Sequence, residues 1–409
     1  MVRQHLYFLL LLIGLGVFTG NQSFCSARPR NLEEKASMGI GRFWAFSFAV
    51  KDKVYGGTGR PGFSALNPLS DFWEYDPAID VWTQKADFPG GKRESAVGFS
   101  ANDRGFAGFG TPFIQFSKDL YEFLPESNLW VSKANVPGVG FSHSAGFVID
   151  SIFYIGPENG TNQVYAYNIN SDVWDTVAMF PGADRRGQVG FSVLGKGYIG
   201  MGAGVFSGVF GDFWSYDPVV DSWTEVASIF PVSDQSSAFA VGNYGFVYNV
   251  GGNGNLTFRY DPFNDVWEPE APLPGARVAN GTSCSINGLG YHLFGEKTQS
   301  GGNVPSSAIY EFTPGFDIAN HITPSLSSIA DITIYPVVDG TLKVEVAGTF
   351  SPKMVNMTII DLNGKICISR NVLLPAIIEE YVDHLAEGVY LLSLSIPDML
   401  PYNQKWIKR

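Results

Sequence analysis

The sequence predicts an all-β protein: a six-bladed β-propeller followed by a small C-terminal β-sandwich. Three observations carry that prediction. The 409 residues include 47 Gly, 24 Pro and 14% aromatics, a mixture of turn formers and strand formers. A strand–turn–strand signature ending in tryptophan returns at near-constant spacing. After about residue 322 that signature stops, and a different alternation of strands takes over.

Each repeat has two parts. The second part is read first, because it is the more conspicuous: Asp71-Phe-Trp-Glu-Tyr75-Asp-Pro77, then Trp82. It returns with Phe123 and Trp130, with Tyr167 and Trp174, with Tyr216 and Trp223, and with Tyr260 and Trp267, the aromatic always seven residues before the tryptophan. A sixth copy ends at Phe312-Thr-Pro314 without its tryptophan. The first part is a Gly- and Phe-rich hairpin with aromatic pairs seven apart: Phe48/Tyr55, Phe99/Phe106, Phe147/Tyr154, Phe191/Tyr198, Phe239/Phe246 and, with cysteine in one place, Cys284/Tyr291. Four short strands repeating every 44 to 52 residues describe propeller blades. This Tyr…Trp signature resembles the kelch repeat, in particular the kelch-type propellers of secreted bacterial proteins, over roughly residues 28–318.

The missing tryptophan is explained at the other end of the chain. Leu32-Glu-Glu-Lys35-Ala36 matches Trp82-Thr-Gln-Lys85-Ala86 in spacing, so residues 31–38 are expected to supply the outer strand of the last blade and close the ring. Closure hides the sheet edges that an open ring would expose.

The remaining chain adds an address. Arg3 and the apolar run Leu6 to Phe18 fit a secretory signal better than a membrane span, which needs about 20 apolar residues. Cutting after Ala27 is expected; a lipoprotein cut before Cys25 is the rival, with Gln22-Ser23-Phe24 a poor match to a lipobox. The expected domains are a signal at 1–27, the propeller at 28–322 and the sandwich at 323–409. If Cys25 leaves with the signal, Cys284 and Cys367 remain as free thiols, so no disulfide framework is expected.

In the last segment stand Tyr335-Pro336, Asp361-Leu-Asn-Gly364-Lys365, Leu385-Ala-Glu-Gly388-Val-Tyr390 and the basic end Lys405-Trp-Ile-Lys408-Arg409. In this order they resemble the C-terminal sorting domain of the type IX secretion system of Bacteroidetes. Val337-Val338 departs from that family's usual Asn-Pro. The resemblance implies the type IX machinery as a partner and a secreted or outer-surface location. A generic adhesive sandwich is the plainer alternative.

Composition narrows the function. Only 16% of residues are charged, against about 25% in a typical domain, and the net charge is −12 with no Lys/Arg run. That disfavours nucleic acid, whose binding rests on neutralised phosphates. It equally disfavours a polybasic membrane patch. A monomer with no transmembrane segment in the mature chain is expected.

The connection between second and third strands varies, the aromatic-to-aromatic gap running from 13 residues (Tyr154 to Tyr167) to 21 (Tyr291 to Phe312). Variable loops on a rigid scaffold are where binding residues usually stand. The longest are Thr58–Ser70 and Glu296–Ser306.

Aligning the blades places Arg42, Arg93, Phe141, Arg185, Ser233 and Val278 in one ring on that face, with Arg186 and Arg277 adjacent. Two residues on come Trp44, Ser95, His143, Gly187, Gln235 and Asn280. Guanidinium groups grip carboxylates or phosphates bidentately, and Trp44 and His143 offer faces for a sugar ring or a peptide side chain. The candidate ligand-binding set is therefore Arg42, Trp44, Arg93, Glu94, His143, Arg185, Arg186, Gln235, Arg277 and Asn280. Arginines paired with neighbouring carboxylates are the structural alternative.

No catalytic constellation stands out. His143, beside Arg93 and Glu94, is a weak acid–base candidate, comparable to the sialic acid epimerases that also use kelch propellers. Cys284 occupies a core position normally held by Phe, which argues against the cysteine-linked copper site of kelch oxidases. The Asp-Pro pairs at Asp76, Asp217 and Asp261 read as turns rather than metal ligands. No cofactor and no metal are expected. The leading expectation is an exported protein that binds a glycan or protein at the variable-loop face; an epimerase-like enzyme and a purely structural surface protein are the alternatives.

Overall fold

The computed structural model describes residues 31–314 and 331–408, apart from the short stretches 63–66, 113–114, 158–159, 205–206, 251–255, 271, 273–277, 300–301, 335–340, 348–352, 362–365, 375, 383, 386–387 and 396–401. The proposed signal, Cys25 and Arg277 thus lie outside the described residues.

β1 (Asn31–Glu34) comes first. Four-stranded antiparallel sheets then follow in chain order. The first is β2 (Phe46–Val50), β3 (Lys53–Gly57), β4 (Phe72–Asp76) and β5 (Val81–Lys85). The second is β6 (Val97–Ala101), β7 (Arg104–Gly108), β8 (Leu120–Leu124) and β9 (Leu129–Lys133). The third is β10 (Ala145–Ile149), β11 (Ile152–Gly156), β12 (Val164–Asn168) and β13 (Val173–Val177).

The fourth sheet opens with β14 (Val189–Val193) and β15 (Lys196–Gly200), which lead into a side hairpin of β16 (Ala203–Gly204) and β17 (Gly208–Val209). β18 (Phe213–Asp217) and β19 (Ser222–Val226) complete it. The fifth is β20 (Ser237–Val241), β21 (Tyr244–Val250), β22 (Leu256–Asp261) and β23 (Val266–Glu270). The short β24 (Val278–Ala279) precedes the sixth sheet, which contains β25 (Thr282–Ile286) and β26 (Leu289–Leu293). The long loop after β26 forms β27 (Glu296–Gln299) and β28 (Gly302–Pro305), with β24 on its edge. β29 (Ile309–Thr313) then pairs with β1, so the chain's described start supplies the sixth sheet's outer strand.

The register of that last pairing matches the other five. Tyr75 stands opposite Trp82, Tyr216 opposite Trp223, and Phe312 opposite Leu32. The innermost strands β2, β6, β10, β14, β20 and β25 lie side by side in that order, and β25 returns to β2.

The repeated motif works as a clasp between neighbouring sheets. Asp80 sits in the left-handed region at φ 56° and accepts the Tyr75 hydroxyl at 2.7 Å. It also takes the Ala36 N–H at 2.8 Å, while Trp82 Nε1 donates to the Ala36 carbonyl at 2.7 Å. The same trio recurs as Tyr216, Asp221 and Trp223 on Ala178, and as Tyr260, Asp265 and Trp267 on Ala227. Ala36 stands four residues after Leu32 as Ala86 stands four after Trp82, so the first segment of the chain supplies the receiving alanine for the first sheet. Each such hydrogen bond contributes about 1 kcal/mol net.

Asp76 and Asp217 accept backbone N–H groups two residues on, at 2.9 Å each, the turn chemistry expected of Asp-Pro pairs. Between sheets the aromatic pairs form the core: Phe48 stacks on Tyr55 at 5.3 Å and both lie in one cluster with Phe123 of the next sheet. Close approach dictates glycine at Gly197 and Gly245, where a Cβ would run into the Phe147 and Phe191 rings.

Two further sheets follow. One contains β30 (Asp331–Ile334), β31 (Thr341–Ala347) and a third strand added later in sequence. The chain first runs through β32 (Lys353–Asp361) and β33 (Ile366–Leu374) before β34 (Ala376–Tyr381) pairs with β31. β35 (Gly388–Ser395) and β36 (Tyr402–Lys408) join β32 and β33 in the second sheet.

The sorting elements fall as follows. Asp361 ends β32 opposite Tyr390, Gly388 opposes Lys408, and Leu391 opposes Lys405. Leu385 sits in the turn before β35, its N–H bonded to the Val382 carbonyl at 2.9 Å. Tyr335, Pro336, Gly364 and Lys365 lie outside the described residues. Neither Cys284 nor Cys367 is joined in a disulfide. No described helix is long and apolar enough to cross a membrane.

Candidate functional site

Two residues before each innermost strand stand Trp44, Ser95, His143, Gly187, Gln235 and Asn280, and all six line one cavity of about 180 Å³. Four of the non-glycine members take left-handed backbone: Trp44 at φ 55°, Ser95 at 57°, His143 at 53° and Asn280 at 55°. Such conformations cost about 1–2 kcal/mol per residue. Backbone bonds from sheet to sheet hold them there: Ser95 N–H to Trp44 O at 2.7 Å, Gly187 N–H to His143 O at 2.8 Å, Asn280 N–H to Gln235 O at 3.1 Å, and Trp44 N–H to Asn280 O at 3.0 Å. The last of these ties the sixth sheet to the first. With the backbone spent on the ring, the side chains are left to the cavity.

One side of the mouth carries most of the chemistry. His143 Nε2 lies 2.7 Å from Ser95 Oγ and its Nδ1 3.0 Å from Ser142 Oγ, which in turn receives the Thr111 hydroxyl at 2.8 Å. Trp44 packs edge-on to the imidazole at 5.0 Å. Burial, followed by the charges of Arg186 and Arg60, lowers the His143 imidazole to about 4. At neutral pH it is therefore an uncharged ring with a hydroxyl on each nitrogen. Arg60 lies over Trp44 at 5.4 Å and pairs with Glu94, Nε to Oε2, at 2.5 Å. Burial raises the Glu94 carboxyl against the pull of Arg60. Across the mouth, Asn280 donates to buried Glu296, which also receives Asn303 at 3.1 Å.

The arginine ring differs from expectation. Arg42 and Arg93 are 0% and 2% exposed, and Arg185 is buried as well. Each makes a bidentate pair within its own sheet: Arg42 with Asp71, Arg93 with Asp119 and Arg185 with Asp212, at 2.6 and 2.8 Å in every case. Each also donates to a carbonyl, of Thr58, Phe109 or Met201. Burial works to raise Asp71 and Asp212, yet the guanidinium groups hold both below the usual carboxylate range. The physical reason is desolvation: a buried guanidinium needs a carboxylate and carbonyls to replace its water. These three residues brace sheets rather than facing the mouth, and the equivalent positions Phe141, Ser233 and Val278 are buried too.

Of the expected set, the structure brings Trp44, His143, Gln235 and Asn280 to the mouth, with Glu94 beside it through Arg60. Arg186 is exposed at the edge of the same wall. Sequence reasoning missed Arg60, Ser142 and Thr111. The signal for Arg60 was its place in the long variable loop Thr58–Ser70; nothing in sequence linked it to Glu94. His292 lies beneath the mouth, its Nδ1 3.0 Å from Ser237 Oγ and 3.1 Å from Ser283 Oγ, and burial lowers it to about 3. Burial also pushes the Cys284 thiol up to about 12, so it behaves as a core group. No group of three His, Cys, Asp or Glu residues suited to a metal ion occurs among the described residues.

The arrangement offers a flat aromatic face, neutral hydrogen-bonding groups and a charged rim. No family model matches the chain. It is 29% identical over 119 residues to an N-acetylneuraminate epimerase of Pasteurella multocida (strain Pm70), covering 28% of this chain and 31% of that protein. It is 28% identical over 266 residues to Kelch-like protein 35 of Mus musculus, covering 64% of this chain and 44% of that protein. The chain thus matches less than half the length of these curated relatives. Among solved structures, that of YjhT superposes with a TM-score of 0.56 at 15% identity, over 67% of this chain and 95% of that one. Repeats, sheets and the solved-structure comparison agree on a β-propeller fold, and the chain is similar in sequence to a kelch-like protein.

Proposed function

We propose that the protein is an exported binding protein whose propeller recognises a glycan or protein ligand at the mouth formed by Trp44, His143, Gln235 and Asn280. The observation that carries this reading is the mouth itself: a ring of six residues held by backbone bonds, five of them with side chains, with an aromatic face and uncharged donors converging on one cavity. The six sheets read as six blades of one closed ring spanning 28–322. Residues 1–27 read as a signal that is removed, and 323–409 as a β-sandwich that addresses the chain to type IX export and a secreted or outer-surface location. The order of Asp361, Gly388, Tyr390, Lys405 and Lys408 supports that address. The mature protein acts as a monomer, with no nucleic-acid partner.

Binding is favoured over turnover on a physical ground. A general base works best with a pKa near the working pH, and His143 at about 4, partnered only by hydroxyls, is far from it. The similarity to an epimerase covers too little of either chain to reverse that argument.

The test is a glycan and peptide array probed with the full chain beside Trp44→Ala and His143→Ala variants of unchanged thermal midpoint. Specific binding lost in both variants supports the mouth as the site. Binding retained in both moves the site elsewhere, and sugar turnover abolished by His143→Ala supports the enzyme instead.

A further inference from the structure

A second cavity, of about 300 Å³, adjoins the mouth, and among the described residues His143 alone lines both. Its remaining wall includes Thr111, Phe116, Ser142, Asp184, Arg186 and Ala203. The volume sits at the lower end of small-ligand sites, about 300–1,000 Å³.

Arg186 sets this cavity apart. Every other arginine among the described residues of the propeller pairs with a carboxylate: Arg42 with Asp71, Arg60 with Glu94, Arg93 with Asp119, Arg104 with Glu122, Arg185 with Asp212 and Arg259 with Glu268. Arg186 lines the cavity, is exposed, and among the described residues has no carboxylate within ion-pair distance. In a chain of net charge −12, an arginine left unpaired at a cavity wall is an available anion receptor. Asp184 Oδ1 is taken by the Gly160 N–H at 3.0 Å, which leaves its other oxygen for a hydroxyl donor. Phe116, 40% exposed, offers an apolar face in the same cavity. Between the two cavities runs a continuous chain of hydrogen bonds, Thr111 to Ser142 to His143 to Ser95, so polar groups are presented on both sides of the imidazole.

We propose that the second cavity is a subsite for an acidic sugar unit, and that the ligand is an acidic oligosaccharide straddling His143. Its carboxylate lies on the Arg186 guanidinium, its hydroxyls on Asp184 and its C–H face on Phe116, while the neighbouring neutral unit occupies the mouth against Trp44. This rests on the reading of the mouth as a binding site and adds the ligand's class and length.

The experiment is calorimetric titration of the full chain with a glucuronic acid–N-acetylglucosamine disaccharide and with its methyl ester. An Arg186→Gln variant is expected to weaken the acid about ten- to a hundredfold, the size of a lost charge-assisted pair, and to leave the ester within about twofold. Trp44→Ala is expected to weaken both probes. Equal affinities for acid and ester in the wild-type chain, no effect of Arg186→Gln, or an equal loss for both probes overturns the subsite, as does the absence of binding to either probe. Loss confined to the acid in Arg186→Gln with full binding in Trp44→Ala keeps the subsite and overturns the mouth reading instead.

Discussion

Sheets one, two and four carry a buried arginine at the position where sheets three and six carry Phe141 and Val278. In the first group the guanidinium is matched by Asp71, Asp119 or Asp212; in the second, apolar groups fill the space without any polar atom to satisfy. One fold position thus accepts two chemistries, provided each is complete. A buried pair and a packed hydrocarbon are close in energy, whereas half of a pair is costly. His143, just before the third sheet, and His292, in the sixth, both stand in the second group.

The largest expected effect comes from breaking a pair. Arg42→Ala leaves Asp71 without its partner and should cost about 3–5 kcal/mol of stability in urea unfolding. A loss below about 1 kcal/mol would mean that the braced sheets owe little to their braces.

Acid should separate the two groups in pH. The His143 and His292 imidazoles titrate at about 4 and about 3 in the folded chain, against 6.5 as the ordinary value. Lowered histidine values mean that the unfolded chain takes up protons first. Their stabilisation is complete above pH 6.5 and declines as pH falls from 6.5 through 4. The Asp71 and Asp212 carboxyls are held below 3.8, so the braces weaken only below that pH. The thermal midpoint should therefore fall in two stages, and His143→Gln with His292→Leu should flatten the first stage alone. A single fall beginning below pH 4 would remove the distinction.

The smallest effect is expected where both members of a pair are replaced together. Arg185→Met with Asp212→Leu converts a braced sheet into the packed kind and should change stability by no more than about 1 kcal/mol. A loss as large as that of Arg42→Ala would show that the charge pair contributes more than space filling.

Much of this was legible in the sequence because it repeats. Tyr75, Asp80 and Trp82 announce a clasp by recurring at fixed spacing, and spacing within one strand–turn–strand unit is a local property. Leu32 could be placed opposite Phe312 for the same reason, although 280 positions separate them in number. The ring of Trp44, His143 and Asn280 was also found by alignment, since its members hold equivalent places in successive units.

Local spacing says nothing about where a long side chain ends. Arg93 and Arg186 look alike as residues beside an inner strand, yet one is buried on Asp119 and the other stands exposed at a cavity. The partners lie 26 residues away in one case and nowhere among the described residues in the other. The same holds for Arg60 and Glu94, 34 residues apart, and for the Ser95 hydroxyl on His143, 48 residues apart. The sequence by itself determined the strands, their repetition and the ring of positions, because these follow from alternation and turn chemistry. Only the tertiary structure decided which charges are spent on the fold and which remain for a ligand, because that depends on desolvation and on partners brought together across sheets.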